Sequence, residues 1–178
     1  LGNAMRASGQ LDEAARLLEY AKLKYPTDTS VKKVLANTYM DREALNAAAD
    51  LVLEAALFDQ ELTSEAAELY RRAGRPQRAL MLNGQIADQE IKLKQRLALY
   101  IETRQFARAA AMETDLTRVG LLNDEDVRYA LAYAHFKSGD FEATERHLQR
   151  LTRPDLFRKA AELRSAIQDC SEDSWQCL

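Results

Sequence analysis

His135 and His147 are the only histidines in the chain, and with Cys170, Cys177 and the acidic run Asn123-Asp124-Glu125-Asp126 they are the residues whose types could do chemistry. An imidazole can serve as base, proton shuttle or metal ligand, and paired carboxylates can divide acid and base work. The surrounding sequence supports none of these roles. No H-E-x-x-H, no G-x-S-x-G and no glycine-rich phosphate loop occurs. His147 stands among Glu145, Arg146 and Gln149, which predicts a position facing solvent or a neighbouring helix. Acidic residues at 124–126 suit a helix start, where they complement the positive end of the macrodipole. No catalytic residue, metal-ligand set or cofactor is therefore expected.

Cys170 and Cys177 lie together in the terminal CSEDSWQCL. A bond between them would close a small loop and contribute at most about 2–3 kcal/mol, in an oxidising compartment only. Two unpaired thiols are the other reading. A zinc site is the weakest, because a closed site needs four ligands and no histidine is near in sequence.

The elements that position these residues are helical. Ala, Leu, Glu, Arg and Gln dominate, and six glycines and three prolines are too few for a chain that turns every ten residues or so. The net charge is −3 with the signs interspersed, so no broad positive face exists for phosphates, and nucleic acid is not an expected partner. Apolar runs such as LALYI at 97–101 fall far short of the roughly 20 residues that cross a bilayer. The opening LGNAMRASG has neither a basic nor a continuous apolar region, so the expectation is no targeting segment, the second half of a helix, and a piece of a longer protein.

Small residues recur in comparable helices: Ala14, Ala48, Ala79, Ala109 and Thr144, at intervals of 34, 31, 30 and 35. Nine residues before each stand Met5, Tyr39, Tyr70, Tyr100 and His135, so His135 is expected in the core. Gly9, Gly74 and Gly139 stand five residues before their small residue, where a first helix must end and the chain reverse. A shared period of this size is that of stacked helix-turn-helix units.

Leu1-Gly2, Gly9, Ala14, Leu18, Ala21 and Pro26 stand at the signature spacings of the tetratricopeptide repeat (TPR), which residues 1–151 resemble, best in the first unit. Ala36, Ala67 and Ala132 hold the small position of the first helix, where the fourth unit has Leu97. The fold class expected is all-α: a right-handed α-solenoid of about five TPR-like hairpins over 1–151, the first truncated at its N-terminus. A capping helix and Cys-bearing tail follow over 152–178. Helices are predicted at 1–8, 11–24, 29–41, 43–58, 62–73, 76–88, 90–103, 106–118, 123–138, 141–151 and 154–169. Thr29-Ser30, Thr63-Ser64 and Asn123-Asp124 are predicted caps, and Pro76 and Pro154 suit first turns.

With chemistry absent, surface remains. The TPR resemblance implies that first helices line a concave face, carrying Asn3 and Arg6; Lys33, Asn37 and Met40; Ser64, Glu68 and Arg71; Lys94, Ala98 and Ile101; and Tyr129, Tyr133 and Phe136. The last three share one helical face at i, i+4, i+7 spacing and read either as a stiff contact platform or as rings packed on the capping helix. The segment from Asn123 to Leu151, with RPDLFRKAAELR and SWQCL after it, resembles the late TPR region of the outer-membrane exporter of the Pel exopolysaccharide. That resemblance implies a periplasmic location within an outer-membrane protein and no reaction of its own. It also implies a protein partner, a polysaccharide deacetylase and hydrolase, with possible contact to the polymer. A TPR adaptor of another assembly, or a glycan-binding module, are the alternatives.

Overall fold

The computed structural model describes residues 2–172, all-α among those residues. Two compact units divide it, Leu1–Lys92 and Leu93–Leu178. The sequence division after residue 151 separates only the last helix; the contacts instead group that helix with the hairpins before it.

In the first unit, α1 (Gly2–Ala7), α2 (Leu11–Lys24), α3 (Thr29–Asp41), α4 (Leu45–Ala56), α5 (Thr63–Arg72) and α6 (Pro76–Asn83) follow one another. Each packs on the next in the chain, and a 3-10 turn at Gln60–Leu62 leads into α5. The small residues set this spacing. Ala14, Ala48 and Ala79 are fully buried, and Leu35 and Val52 are buried in the same unit. Each buried Leu or Val contributes about 1.5–3 kcal/mol. Gly2 shows how close the approach is: a Cβ there would lie 2.8 Å from Leu18 Cδ2.

α7 (Gln89–Glu102) crosses the division. The second unit continues with α8 (Phe106–Ala110), α9 (Glu113–Arg118), α10 (Glu125–Lys137), α11 (Phe141–Leu148) and α12 (Pro154–Glu172). α10 packs against α8, α11 and α12, around one cluster built on Leu97, Leu116 and Leu131 and another built on Leu148, Leu156 and Ala160. The single helix predicted over 106–118 is in fact two. Ala111 and Met112 have ψ of −11° and −5°, and the Met112 amide bonds three residues back, to Ala109, at 3.1 Å. That tightened turn sets Glu113 at the start of α9.

The repeat is written most plainly in the turns. Gly9, Gly74 and Gly139 hold φ of 79°, 71° and 84°, and the same place in the other two hairpins is held by Glu43 at 59° and Arg104 at 57°. In all five, the next amide reaches back to the ring position: Gln10 to Met5, Ala44 to Tyr39, Arg75 to Tyr70, Gln105 to Tyr100 and Asp140 to His135, at 2.7–3.0 Å. The residue in the left-handed conformation bonds the carbonyl one further on, as Gly74 does to Arg71 at 3.0 Å. This is the Schellman closure of a helix, repeated five times. It fixes the register through 90–118, where Leu97 departs from the repeat's small residue and is nevertheless buried.

Cap chemistry differs from expectation at two sites. Asp28, not Thr29-Ser30, caps α3, its carboxylate accepting from the amides of Ser30 and Val31 at 2.8 and 3.2 Å. Thr63 is already helical, and Asp59 caps the preceding 3-10 turn. Asp124 caps α10 as expected. The side chain of Cys170 and all of Cys177 lie outside the described residues, and with them the expected bond.

Candidate functional site

Residues of the expected binding face stand on the first helices of successive hairpins. Arg6 is on α1, Lys33, Asn37 and Met40 on α3, Glu68 and Arg71 on α5, Lys94 on α7, and Tyr129, Tyr133 and Phe136 on α10. Lys33 is exposed, and Asn37 and Met40 are half-buried. Arg6 donates to the Asp41 carboxylate at 2.6 Å, and Arg71 to Glu68 at 2.6 Å. Lys94 Nζ lies 2.6 Å from Asp124 Oδ2, so that cation serves a helix cap. This hydrogen bond is the chief reason the Asp124 carboxyl is held below its ordinary value.

Tyr129, Tyr133 and Phe136 are half-buried against the cluster that includes Leu156, Ala160 and Leu163 of α12. Tyr133 meets Phe106 edge-on at 5.9 Å, and Phe136 lies 5.9 Å from Phe141. The Lys159 ammonium stands 5.5 Å from the Tyr129 ring. The packing half of the earlier alternative therefore describes one side of all three rings; their other edges reach solvent.

Sequence reasoning missed another surface. Tyr20 and Leu23 on α2, Leu57 and Phe58 after α4, and Met81 on α6 are exposed, Leu23 and Leu57 by 78% and 79%. All stand on second helices or directly after one. Large apolar side chains on the second helices, Leu23 at a polar-flanked place among them, were the available signal.

The repeat's rings also make polar contacts. Tyr39 donates to Glu19 at 2.9 Å, and Tyr70 to Asp50, each twenty residues earlier. Burial first, and that bond second, push the Tyr70 phenol up to about 12. In the last hairpin the ring position carries His135, and its partner is Glu113.

Glu113, His135 and His147 come together from α9, α10 and α11. Glu113 Oε2 lies 3.1 Å from His135 Nε2, and Oε1 lies 3.0 Å from His147 Nε2. Both imidazoles are buried, so of the two positions expected for His147 the one against neighbouring helices is found, and the rings stack at 5.6 Å. Burial pushes the His147 imidazole below its ordinary value, against the opposing pull of Glu113. Neither Nδ1 has a hydrogen-bond partner; that of His135 faces Asp140 Oδ2 at 3.5 Å. Among the described residues, these three are the ones whose metal-ligating atoms converge, within 4.8 Å of one another. Glu113 and His147 open onto a cavity of about 380 Å³ that Arg128, Arg146 and Arg150 also line. Burial and the nearby Arg150 charge lower the Arg128 pKa.

The fold is that of TPR proteins. A crystal structure of MamA aligns with a TM-score of 0.64 at 17% identity, over 95% of this chain and 97% of that one. YrrB, described as a TPR protein with an unusual peptide-binding site, aligns at 0.63 and 14% identity over 92% of this chain and 83% of its own. TTC0263, a thermophilic TPR protein of Thermus thermophilus, aligns at 0.52 and 22% identity, over 92% of this chain and 95% of its own. At such identities the likeness establishes fold. No family model matches the chain, and no curated protein does.

Proposed function

We propose that this chain is a protein-binding scaffold with no reaction of its own, working in the periplasm as the TPR part of an outer-membrane exopolysaccharide exporter of the Pel type. It recruits a polysaccharide deacetylase and hydrolase and guides the polymer toward a pore. The observation that carries the scaffold reading is the placement of Lys33, Asn37 and Met40 on a first helix whose opposite side is core. The peptide-binding site for which YrrB is described lends support by analogy of fold. The periplasmic export role is supported by the resemblance of the 123–151 segment and by the paired cysteines, whose bond would form in that compartment. Among the described residues no helix is long and apolar enough to cross a membrane, so anchorage would come from elsewhere.

A calorimetric titration with the purified deacetylase of a Pel-type system tests both levels. Lys33→Glu with Met40→Ala is expected to weaken binding by about tenfold, a change of about 1.4 kcal/mol, at unchanged helicity. Unaltered binding would move the interface elsewhere, and absence of binding to the wild-type chain would remove the export role. The exposed apolar residues of the second helices favour one alternative face, and Leu23→Ser with Leu57→Ser is the matching control.

A further inference from the structure

The Glu113, His135 and His147 cluster does not belong to the partner surface, and the repeat shows how unusual it is. His135 takes the position held by Met5, Tyr39, Tyr70 and Tyr100. Three residues past the small position, where His147 stands, the earlier hairpins have Leu17, Leu51, Leu82 and Met112. One residue further, Glu113 replaces what is elsewhere Leu18, Val52, Asn83 and Leu148. Three positions that elsewhere carry buried or half-buried, mostly apolar side chains are here each a metal-ligating type, and their side chains meet. Burying two imidazoles in place of Leu and Tyr, beside a carboxylate that is itself about a third exposed, is costly unless something compensates.

Hydrogen bonding alone compensates poorly. If each Nε2 carries its proton and donates to Glu113, each Nδ1 is left as a buried acceptor without a donor. For His135 that lone pair then faces the Asp140 carboxylate at 3.5 Å, acceptor against acceptor. An ion on the Nε2 side reverses the arrangement: the Nε2 lone pairs bind it, the proton resides on Nδ1, and His135 Nδ1–H points toward a carboxylate, as ligating histidines commonly do.

Each imidazole stands at a ligand-to-ligand distance from its own oxygen of Glu113, and the ligand atoms of the three groups lie within 4.8 Å of one another, so the side chains need close only slightly around one ion. Two ligand atoms each about 2.1 Å from a metal, and about 90–110° apart, are about 3.0–3.4 Å from each other. The two nitrogen-to-oxygen separations are 3.1 and 3.0 Å. Two imidazoles and one carboxylate form a nitrogen and oxygen set suited to zinc-class ions; magnesium and calcium prefer all-oxygen shells. The cavity beside Glu113 and His147 supplies room for water in a further position, and Arg128, Arg146 and Arg150 on its wall favour an anion there.

We propose that Glu113, His135 and His147 bind one divalent ion of the zinc class as a structural clamp across α9, α10 and α11. The clamp stands independently of the scaffold reading.

The test uses the full chain, untagged, with Cys170→Ser and Cys177→Ser to remove competing thiols, and stripped with chelator before titration. Zinc chloride is expected to bind in a single equivalent and to raise the melting temperature, while magnesium chloride does neither. His147→Leu and His135→Tyr, which restore the residues of other hairpins, are expected to fold, to melt no lower than the stripped parent, and to weaken zinc at least about 100-fold. Glu113→Gln should do the same. Folded parent protein that takes up no zinc would overturn the site, and so would binding that persists when Glu113→Gln, His135→Tyr and His147→Leu are combined in one chain.

Discussion

At the scale of single residues, Glu43 and Arg104 show what the turn demands apart from what glycine offers. Both sit at φ near 60° in the closures that Gly9, Gly74 and Gly139 occupy elsewhere. An L-residue there pays roughly 1–2 kcal/mol, of which glycine's greater freedom in the unfolded chain returns about half. Glu43→Gly and Arg104→Gly are each expected to stabilise the protein by about 0.5–1 kcal/mol, read as a higher urea midpoint at constant slope. Gly74→Ala, with nothing within 4 Å of its would-be Cβ, should destabilise through backbone conformation alone. If all three shifts were absent, these turns would not hold the left-handed geometry in solution. Three of the five were legible because glycine marks them; Glu43 and Arg104 are invisible by residue type and emerge only by counting from Ala48 and Ala109.

At the scale of elements, capping and docking contacts explain where sequence and structure part. Asp28 was passed over for Thr29-Ser30 because all are good caps, and only backbone geometry decides which one aims at the free amides. The break between α8 and α9 carries no proline or glycine, so nothing in composition marks it. Without that break Glu113 reads as one more surface carboxylate, although its place four residues after Ala109 is a core position of the repeat. The docking of α12 depends on another carboxylate. Glu125 accepts from the backbone amides of Thr152 and Arg153 at 2.9 and 3.0 Å and from the Thr152 hydroxyl. The Thr152 hydroxyl first, and the two amides after it, hold the Glu125 carboxyl below its ordinary 4.5. A depressed folded pKa means stability that is present above the unfolded value and lost as pH falls through the folded one. The amide resonances of Thr152 and Arg153 are therefore expected to shift together below pH of about 4.5, and Glu125→Gln to abolish that transition while the remaining acid titrations persist. Retention of the transition in the variant would assign it to another group, such as Asp155.

At the scale of the whole molecule, the informative property is that each helix of the first unit packs on its immediate neighbours in the chain. α3 touches α1, α2 and α4, while α6 packs on α5. Stability in such a stack is close to a sum of local terms and nearest-neighbour contacts, unlike that of a core shared by every element. Leu35, on α3, is fully buried, and Leu35→Ala removes about 2–5 kcal/mol from its surroundings through lost burial and the cavity left behind. Because α6 has no substantial packing against α3, the loss is expected to reach it mainly through α4 and α5. Amide exchange should therefore accelerate most in α2, α3 and α4 and least in α6, a gradient along the chain that native-state exchange measures directly. A uniform acceleration from α1 to α6 would mean that the hairpins open as one cooperative body, and that the period of small residues, glycines and rings sets the geometry of the stack without partitioning its stability.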